Sequence, residues 1–380
     1  MYIKRKINIL ETLKKKSCFL FGPRQTGKSS FIKNELKGIK VFNLLDSEIF
    51  LSFSSDLSNL RRAITEQDKI VIIDEIQKLP ELLNEVHLLI EEKNVNFLLT
   101  GSSARKLRKG GVNLLGGRAR KKYIHPFIYH EITDQFDLNR ALNFGLLPSI
   151  FFSDDPHSDL SSYVGDYLQQ EIIAEALVKN IPSFSRFLQV SALSSGQIIN
   201  YSNISNDASV PQSTVQDYFQ ILRDTLIGDD LPIWGKSIKR KPVSTSKFYY
   251  FDVGIVNFII KRKIINEKSY EYGQAFEHFI YQELKAYTDY NNYIDALYYW
   301  RSSSGFEVDF VLEDMLAVEV KTKNNISNKD LKGIKALKEE NKIKHFVVIA
   351  RTPIPLYEDG IEILPWELFL KKLWDGKFVS

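Results

Sequence analysis

The sequence is poor in the residues that build disulfides, zinc sites and membrane spans. Its 380 residues include one cysteine, Cys18, and six scattered histidines. One cysteine excludes an intrachain disulfide and favours a reduced compartment, and no cysteine–histidine spacing suits zinc. No apolar stretch approaches the roughly 18 residues of a membrane span, and Met1 to Lys6 lacks a signal-peptide core. We therefore expect a cytoplasmic protein with no membrane partner.

The chain also lacks a strong charge of either sign. The formal net charge is +4, too small to identify a nucleic-acid partner by itself. Basic residues cluster locally instead, and any one cluster is explained as a solvated face. The length predicts two or three domains.

A glycine-containing loop follows the apolar run at 17–21 and precedes a helix-like stretch. It reads Gly-Pro-Arg-Gln-Thr-Gly-Lys-Ser at 22–29. Such a loop lets backbone amides cradle phosphates, with the helix N-terminus adding positive potential. Lys28 would reach the β and γ oxygens, and Ser29 would ligate magnesium. The predicted ATP-binding residues are Gly22, Pro23, Arg24, Gln25, Thr26, Gly27, Lys28, Ser29 and Ser30.

A β-branched run at 69–73 ends in two carboxylates, Asp74 and Glu75. The run is typical of a buried parallel strand. Asp74, with Ser29, would hold Mg²⁺, and Glu75 would polarise the attacking water. The pair predicts hydrolysis of ATP as well as binding.

Two further features are candidates for the catalytic set. Ser102 or Ser103, after a third strand at 95–100, fits a γ-phosphate sensor, although a plain Gly-Ser turn explains them too. Arg118, with Arg120 as second choice, follows two glycines and would reach a neighbouring subunit's nucleotide as an arginine finger. The alternative is an ordinary surface arginine.

Together these motifs resemble AAA+ ATPases fused to a C-terminal domain of unknown function. The resemblance rests on the P-loop, Asp-Glu-Ile-Gln-Lys-Leu-Pro at 74–80, Leu-Thr-Gly-Ser-Ser at 99–103 and Gly-Gly-Arg at 116–118. It implies an α/β P-loop ATPase domain, a helical winged-helix middle domain and a C-terminal α/β restriction-endonuclease-like domain. We place these at residues 1–130, 131–262 and 263–380.

The middle segment resembles a winged helix with a basic wing. A short helix and turn at 204–211 precede a helix at 212–222, with Val215, Tyr218, Phe219 and Leu222 inward. Strands at 231–234 and 247–251 flank a lysine-rich loop. The helix would meet DNA through its polar face while the loop neutralises phosphates without reading sequence. The alternative is a protein-docking or lid module. The predicted DNA-binding residues are Gln212, Ser213, Lys236, Lys239, Arg240 and Lys241.

The last third resembles a PD-(D/E)xK nuclease core, which places Glu277, Asp309, Glu319 and Lys321 at the motif positions. The alternating apolar faces of strands 306–312 and 316–322 require residue 310 to pair with 318. That register sets Asp309 opposite Glu319, as magnesium ligands, and Glu307 opposite Lys321. The alternative is a solvated ion pair on a fold kept as a binding platform.

Three functions follow. The favoured one is a ring-forming, ATP-driven motor on duplex or branched DNA, expected as a homohexamer, with branch migration as its most specific form. The second is an ATP-gated, metal-dependent DNA nuclease. The third is a nucleotide-dependent protein-docking switch.

Overall fold

The computed structural model describes residues 2–102, 115–168, 180–237, 239, 245–262, 266–293 and 295–378. The chain forms two compact units. The first comprises Met1–Phe127 with Asp224–Ile227, and the second comprises Ile128–Arg223 with Gly228–Ser380. The second unit thus contains both the predicted middle and C-terminal segments, and the three-domain division stays a prediction. In the described part of the chain, no helix has the length and apolar character needed to cross a membrane.

The first unit is built on a parallel five-stranded sheet. Its strands lie in the order β2-β3-β4-β1-β5, and every neighbouring pair runs parallel. This confirms the predicted α/β class for the unit. The strands are β1 Ser17–Phe21, β2 Lys40–Asn43, β3 Ile70–Asp74, β4 Asn96–Gly101 and β5 Ala119–Tyr123. The helices are α1 Leu10–Leu13, α2 Lys28–Glu35, α3 Ser47–Ser55, α4 Asn59–Ala63 and α5 Leu82–Lys93.

The three central strands of this sheet carry apolar runs because both of their faces are covered. Residues of one face, including Phe19, Val71 and Phe97, belong to one fully buried cluster. Because the strands are parallel, the loops after β1, β3 and β4 leave the sheet at the same edge. The predicted nucleotide residues lie on these three loops and on the start of α2.

The first part of the second unit is mainly helical. Val215, Tyr218, Phe219 and Leu222 are buried on one helix, as the pattern predicted, while Gln212 is exposed. The helices are α6 Leu138–Phe144, α7 Pro148–Phe151, α8 Pro156–Ser162, α9 Ile181–Leu193, α10 Tyr201–Ala208, α11 Gln212–Asp224 and α12 Val253–Ile259. Strands β6 Gly228–Leu231 and β7 Lys247–Tyr250 form an antiparallel pair between α11 and α12.

The strand predicted at 231–234 is misplaced, since β6 ends at Leu231. The pairing strand begins at Gly228, where a Cβ would lie 2.3 Å from the Phe248 ring, so the absent side chain lets the strands approach. Gly228, Asp229 and Asp230 have low strand propensity, which hides this strand in the sequence. The Trp234 N–H instead donates to the Tyr299 carbonyl at 2.7 Å.

The second part of this unit is a six-stranded mixed sheet with the order β12-β13-β11-β10-β9-β8. Val318 pairs with Phe310 across β10 and β9, so the predicted register is confirmed. The strands are β8 Leu297–Arg301, β9 Glu307–Leu312, β10 Leu316–Val320, β11 His345–Ala350, β12 Leu356–Glu358 and β13 Ile361–Pro365. The helices are α13 Tyr270–Tyr290, α14 Lys332–Lys338 and α15 Trp366–Trp374.

Helix α13 carries a carboxyl group into the interior of the second unit. Glu283 is fully buried, and its Oε1 accepts the Tyr129 N–H at 2.5 Å while Oε2 accepts the Trp374 indole N–H at 3.4 Å. Burial raises the pKa of Glu283 to about 8, although both hydrogen bonds oppose the shift. The folded protein therefore holds this proton at pH values where the unfolded chain, with an ordinary pKa of 4.5, has lost it.

We predict that Glu283→Gln becomes stabilising relative to wild type as the pH rises from about 6 to 8. Because the folded state binds the extra proton, its free energy of unfolding falls with rising pH, by at most about 1.4 kcal/mol per pH unit for this group. Glutamine mimics the protonated form and lacks that slope. Urea unfolding of both proteins at pH 6, 7 and 8 measures the difference, and parallel pH dependences would contradict it.

Candidate nucleotide site and buried charge cluster

The predicted P-loop lies between β1 and α2. One close approach, one positive φ angle and one hydrogen bond set its shape. Gly22 faces the chain after β5, where a Cβ would lie 2.5 Å from the Ile124 carbonyl oxygen. Gly27 has φ 95°, which glycine adopts without strain. The Thr26 hydroxyl donates to the Pro23 carbonyl at 2.8 Å and closes the loop. Pro23 and Thr26 are buried, whereas Arg24, Gln25 and Ser30 are exposed.

A buried arginine, Arg5, stabilises this loop by hydrogen bonds to backbone carbonyls. Arg5 donates to the Thr26 carbonyl at 2.7 Å and to the His125 and Pro126 carbonyls at 2.6 and 3.1 Å. Its guanidinium also lies 5.1 Å from the centroid of the Phe127 ring. Sequence reasoning missed Arg5, because one arginine between two lysines looks like part of a solvated N-terminal segment. The side chain joins the P-loop to the segment after β5.

Lys28 is the buried cation of the site. Its ammonium donates to the Gly22 and Pro23 carbonyls at 2.7 and 3.0 Å. Burial lowers the pKa of Lys28 to about 8, and the charges of Glu75 and Asp74 partly offset that effect. A desolvated ammonium at the start of α2, beside exposed backbone amides of the helix end, suits a polyanionic ligand.

Asp74 joins three elements at the carboxyl edge of the sheet. Its Oδ2 accepts the Ser29 hydroxyl at 3.1 Å, and its Oδ1 accepts the Thr100 hydroxyl. The residue is only 3% exposed. Ser29 lies in the first turn of α2, Asp74 ends β3 and Thr100 lies in β4. Sequence reasoning paired Ser29 with Asp74 and missed Thr100, whose signal was its place just before the Gly-Ser turn.

These residues fit a magnesium–nucleotide ligand. A buried carboxylate beside a hydroxyl supplies the oxygen ligands that Mg²⁺ prefers, so Ser29 and Asp74 would hold the ion. Lys28 and the amides that begin α2 would hold the phosphates. The bound ion would neutralise phosphate charge during transfer.

Glu75 leaves the strand in a strained conformation and is tied to its neighbours. Its φ is 63°, which is uncommon for a residue other than glycine. Its N–H donates to the Thr100 hydroxyl at 3.1 Å. Its Oε2 accepts from Nε2 of Gln77, which also donates to the Ser102 hydroxyl at 3.3 Å. The structure therefore links Glu75 with Ser102 through Gln77, a residue not predicted for the site. Ser103 lies outside the described residues.

Arg118 lies at the other edge of the sheet. Ala119 pairs with Ser17 in the parallel β1–β5 ladder, so Arg118 is beside the amino end of β1, whereas the P-loop follows its carboxyl end. Arg118 forms an ion pair with Glu91 of α5. It cannot serve the nucleotide of its own chain from this position, and its role toward a neighbouring chain stays a prediction. Arg120, in β5, is exposed.

The predicted DNA-binding residues separate into two groups. Gln212 and Ser213 are exposed at the start of α11. Lys236 is engaged with Asp314 at 2.8 Å, and the Lys239 N–H donates to Glu340 at 2.8 Å. Through these contacts, the described part of the loop is held against the part of the second unit that forms the mixed sheet. Arg240 and Lys241 lie outside the described residues.

The predicted nuclease residues gather around a lysine that the sequence did not indicate. Lys247 of β7 is 4% exposed, and its Nζ lies 2.8 Å from Glu307 and 3.5 Å from Glu277. The Tyr249 hydroxyl donates to the same Glu277 oxygen at 2.6 Å. In the sequence, a lysine at the start of a strand looks solvated. Its burial follows from the contact between the β6–β7 pair and α13.

The predicted pairing of Glu307 with Lys321 is wrong. Glu307 binds Lys247 and, at 3.4 Å, Arg301 of the neighbouring strand β8. Lys321 binds Glu319 instead. Residue 321 lies beyond the end of β10, so the hairpin register does not extend to it. The Asp309 carboxylate accepts the Val320 N–H at 2.8 Å.

Opposite charges in this cluster offset one another in part. Burial raises the pKa of Glu319 to about 8, with Asp309 adding to the shift and Lys321 opposing it. Burial would lower the pKa of Lys247, but Glu277, Asp309 and Glu307 outweigh burial and raise it. No three His, Cys, Asp or Glu side chains in the described ranges form a group that could hold a metal ion. The predicted magnesium ligands Asp309 and Glu319 are therefore not part of such a group.

A cavity of 680 Å³ lies beside the cluster. Its lining includes Lys247, Tyr249, Glu277, Glu307 and Lys321. The lining combines cations and carboxylates that already pair with one another.

We predict that Lys247→Met lowers the free energy of unfolding by about 3 kcal/mol, because it removes a buried cation from Glu277 and Glu307, which are themselves only partly exposed. Chemical denaturation at pH 8 measures the loss. Lys335→Met is the matched control, since Lys335 bridges the more exposed Glu358 and Asp359, each at 2.9 Å, and we expect it to cost about 1 kcal/mol or less. Equal effects of the two substitutions would show that Lys247 is not the balancing charge.

Comparison with known proteins divides the chain into three matched segments. Residues 14–133 match an AAA domain. Residues 135–264 match a Domain of unknown function (DUF8612), and residues 272–369 match a Domain of unknown function (DUF4143). The chain thus carries an AAA domain followed by two domains of unknown function.

Three relatives span most of the chain. An uncharacterized protein of Mycobacterium tuberculosis is 23% identical over 77% of this chain and 67% of its own length. An uncharacterized protein of Haemophilus influenzae is 26% identical over 69% and 72%, respectively. One from Methanocaldococcus jannaschii is 24% identical over 85% and 79%.

Among solved structures, the Aeropyrum pernix ORC1 protein in complex with DNA is 12% identical. It matches with a TM-score of 0.25 over 66% of this chain and 87% of that chain. A likeness at this level supports no conclusion about fold or function.

Proposed function

We propose that this chain, with its AAA domain at 14–133, hydrolyses ATP with Mg²⁺ and uses hydrolysis to act on DNA. The observation that carries the proposal is the contact set around Asp74. Ser29 and Thr100 hydroxyls engage its two carboxylate oxygens, and Glu75 follows directly. These contacts support an ion-binding role for Asp74 and a proton-accepting role for Glu75 at one edge of the sheet.

The residues at this edge of the sheet have different roles in the proposed hydrolysis. Lys28 and the first amides of α2 bind the triphosphate. Glu75 polarises the attacking water and accepts its proton, while Ser102 contacts the γ-phosphate. These groups follow β1, β3 and β4 at one edge of the parallel sheet, which brings them together.

The proposed active form is a homo-oligomeric ring, expected to be a hexamer. Arg118 is too far along the sheet to reach its own P-loop, and a head-to-tail neighbour would bring it to a nucleotide. Arg118 is partly exposed, and its ion pair with the exposed Glu91 lies at the surface, where such a pair contributes little and can be exchanged.

DNA is the proposed substrate, in duplex or branched form, and branch migration is the most specific version of the proposal. Support comes from the second unit, where α10 and α11 precede an antiparallel strand pair, an arrangement typical of a winged helix. The exposed Gln212 and Ser213 would approach a groove, and Lys239, Arg240 and Lys241 would contact phosphates. Such contacts are strongly salt-dependent.

One observation favours the second candidate, a nucleotide-dependent protein-docking switch. Lys236 and the Lys239 backbone are held by Asp314 and Glu340, so this loop is less free to bind phosphates than a projecting wing. The nuclease alternative stays a prediction, because the carboxylates that pair with Lys247 are Glu277 and Glu307, whereas the expected magnesium ligands are Asp309 and Glu319.

We predict that ATP turnover by wild type rises on adding linear duplex or a four-way junction, and that Glu75→Gln lowers turnover by about 10² to 10⁴-fold. Steady-state phosphate release in Mg²⁺ at low and moderate salt measures both. Glu75→Gln should still bind nucleotide, because the P-loop is intact.

The outcomes separate the candidates. Turnover that no DNA stimulates would reject the DNA motor and favour the docking switch. The same DNA samples, run on a denaturing gel with Mg²⁺ or Mn²⁺, should stay uncut. Cutting that is lost in Asp309→Ala would restore the nuclease alternative.

A further inference from the structure

We infer that Gln77 is a positioning residue, which fixes the Glu75 carboxylate and couples it to Ser102. The inference deepens the proposed ATPase function and rests on it. Gln77 lies on a short 3-10 turn at Ile76–Lys78, directly after Glu75, and is 7% exposed. It therefore occupies the space between the ends of β3 and β4.

The amide nitrogen of Gln77 makes both connections. Nε2 donates to Glu75 Oε2 and to the Ser102 hydroxyl at 3.3 Å. The amide oxygen Oε1 is buried and has no hydrogen-bond partner among the residues that the structure describes. Leaving a buried acceptor unpaired costs free energy. Turning the amide over would place Oε1 against the Glu75 carboxylate, which is repulsive, so the contact with Glu75 sets the orientation.

Gly101 makes this orientation possible. A Cβ on Gly101 would lie 2.6 Å from Gln77 Oε1. Gly101 does not have a positive φ, so conformational freedom does not explain the glycine here. The close approach of the Gln77 amide does. A methyl group at 101 would displace the end of the Gln77 side chain and leave the backbone unchanged.

The arrangement gives Gln77 a role that acts through Glu75. Gln77 holds one carboxylate oxygen of Glu75, Oε2. We expect the other oxygen, Glu75 Oε1, to meet the attacking water. Because the same Nε2 holds Ser102, a shift of Ser102 on contact with the γ-phosphate moves the Gln77 amide and with it Glu75. Alignment of the carboxylate then depends on the occupancy of the γ-phosphate position.

Three variants test this. Gln77→Met keeps the length and removes both N–H donors; Gln77→Glu places a second carboxylate beside Glu75; Gly101→Ala displaces the amide while Gln77 itself is retained. We expect each to lower kcat by about tenfold or more, because a misplaced base loses part of its 10²–10⁴-fold contribution. KM for ATP, and the Kd of a fluorescent methylanthraniloyl-ADP, should change by less than about threefold. Gln135→Met, at an exposed glutamine, is the control and should match wild type.

A double-mutant cycle distinguishes positioning from a general structural role. In the Glu75→Gln background, adding Gln77→Met should cause no further loss in single-turnover hydrolysis, because the group that Gln77 positions is already absent. Circular dichroism and thermal unfolding confirm that each variant is folded, and Gly101→Ala provides a second route if Gln77→Met unfolds.

Full additivity in the cycle, unchanged kcat in the variants, or a parallel loss of kcat and nucleotide affinity would overturn the inference. If the wild type hydrolyses ATP normally and the variants have unchanged kcat, the inference about Gln77 fails while the proposed ATPase function stands. A wild type that binds methylanthraniloyl-ADP but does not hydrolyse ATP would overturn the proposed function and the inference with it.

Discussion

The nucleotide site depends on one carboxylate, Asp74, and on the two hydroxyls that contact it. Ser29 reaches it from the first turn of α2 and Thr100 reaches it from β4. A nearly buried carboxylate requires such partners, and their positions fix the P-loop helix against two strands. The Thr100 hydroxyl also accepts the Glu75 N–H, so Asp74, the proposed magnesium ligand, and Glu75, the proposed base, share one support. Arg5 and Gly22 extend that support to the other side of the P-loop.

A second balance of charge organises the mixed sheet of the second unit. Lys247 arrives from β7 and meets Glu277 of α13 and Glu307 of β9. It ties the strand pair that follows α11 to the mixed sheet by charge, and the Tyr249 hydroxyl adds a hydrogen bond to the same glutamate. The cluster that resembles a nuclease site in the sequence therefore contains its own cation. It is an ion network beside a cavity, in which Lys247 pairs with Glu277 and Glu307, and Lys321 pairs with Glu319.

The sequence predicted those structural features that depend on local periodicity or on a contiguous motif. The order of apolar strands, the P-loop, the Ser29–Asp74 pairing and the Phe310–Val318 register all follow from residues within one or two neighbouring elements. The missed residues, Arg5, Gln77 and Lys247, act through contacts that only folding creates. Arg5 reaches chain carbonyls 120 residues away, and Lys247 is buried only because two segments of the second unit pack together. The roles of Gly228 and Gly101 could not be predicted from the sequence for the same reason, since they depend on which side chain approaches each glycine in the fold.

The measurement that tests the account most directly is the effect of magnesium on ATP affinity in wild type and Asp74→Asn. Titration calorimetry with and without Mg²⁺ gives the two dissociation constants for each protein. If Asp74 holds the ion, Mg²⁺ should tighten ATP binding to wild type and have little effect on Asp74→Asn, which should still bind ATP through Lys28 and the P-loop amides. An equal gain from Mg²⁺ in both proteins would contradict the assignment of Asp74, and with it the account of the site.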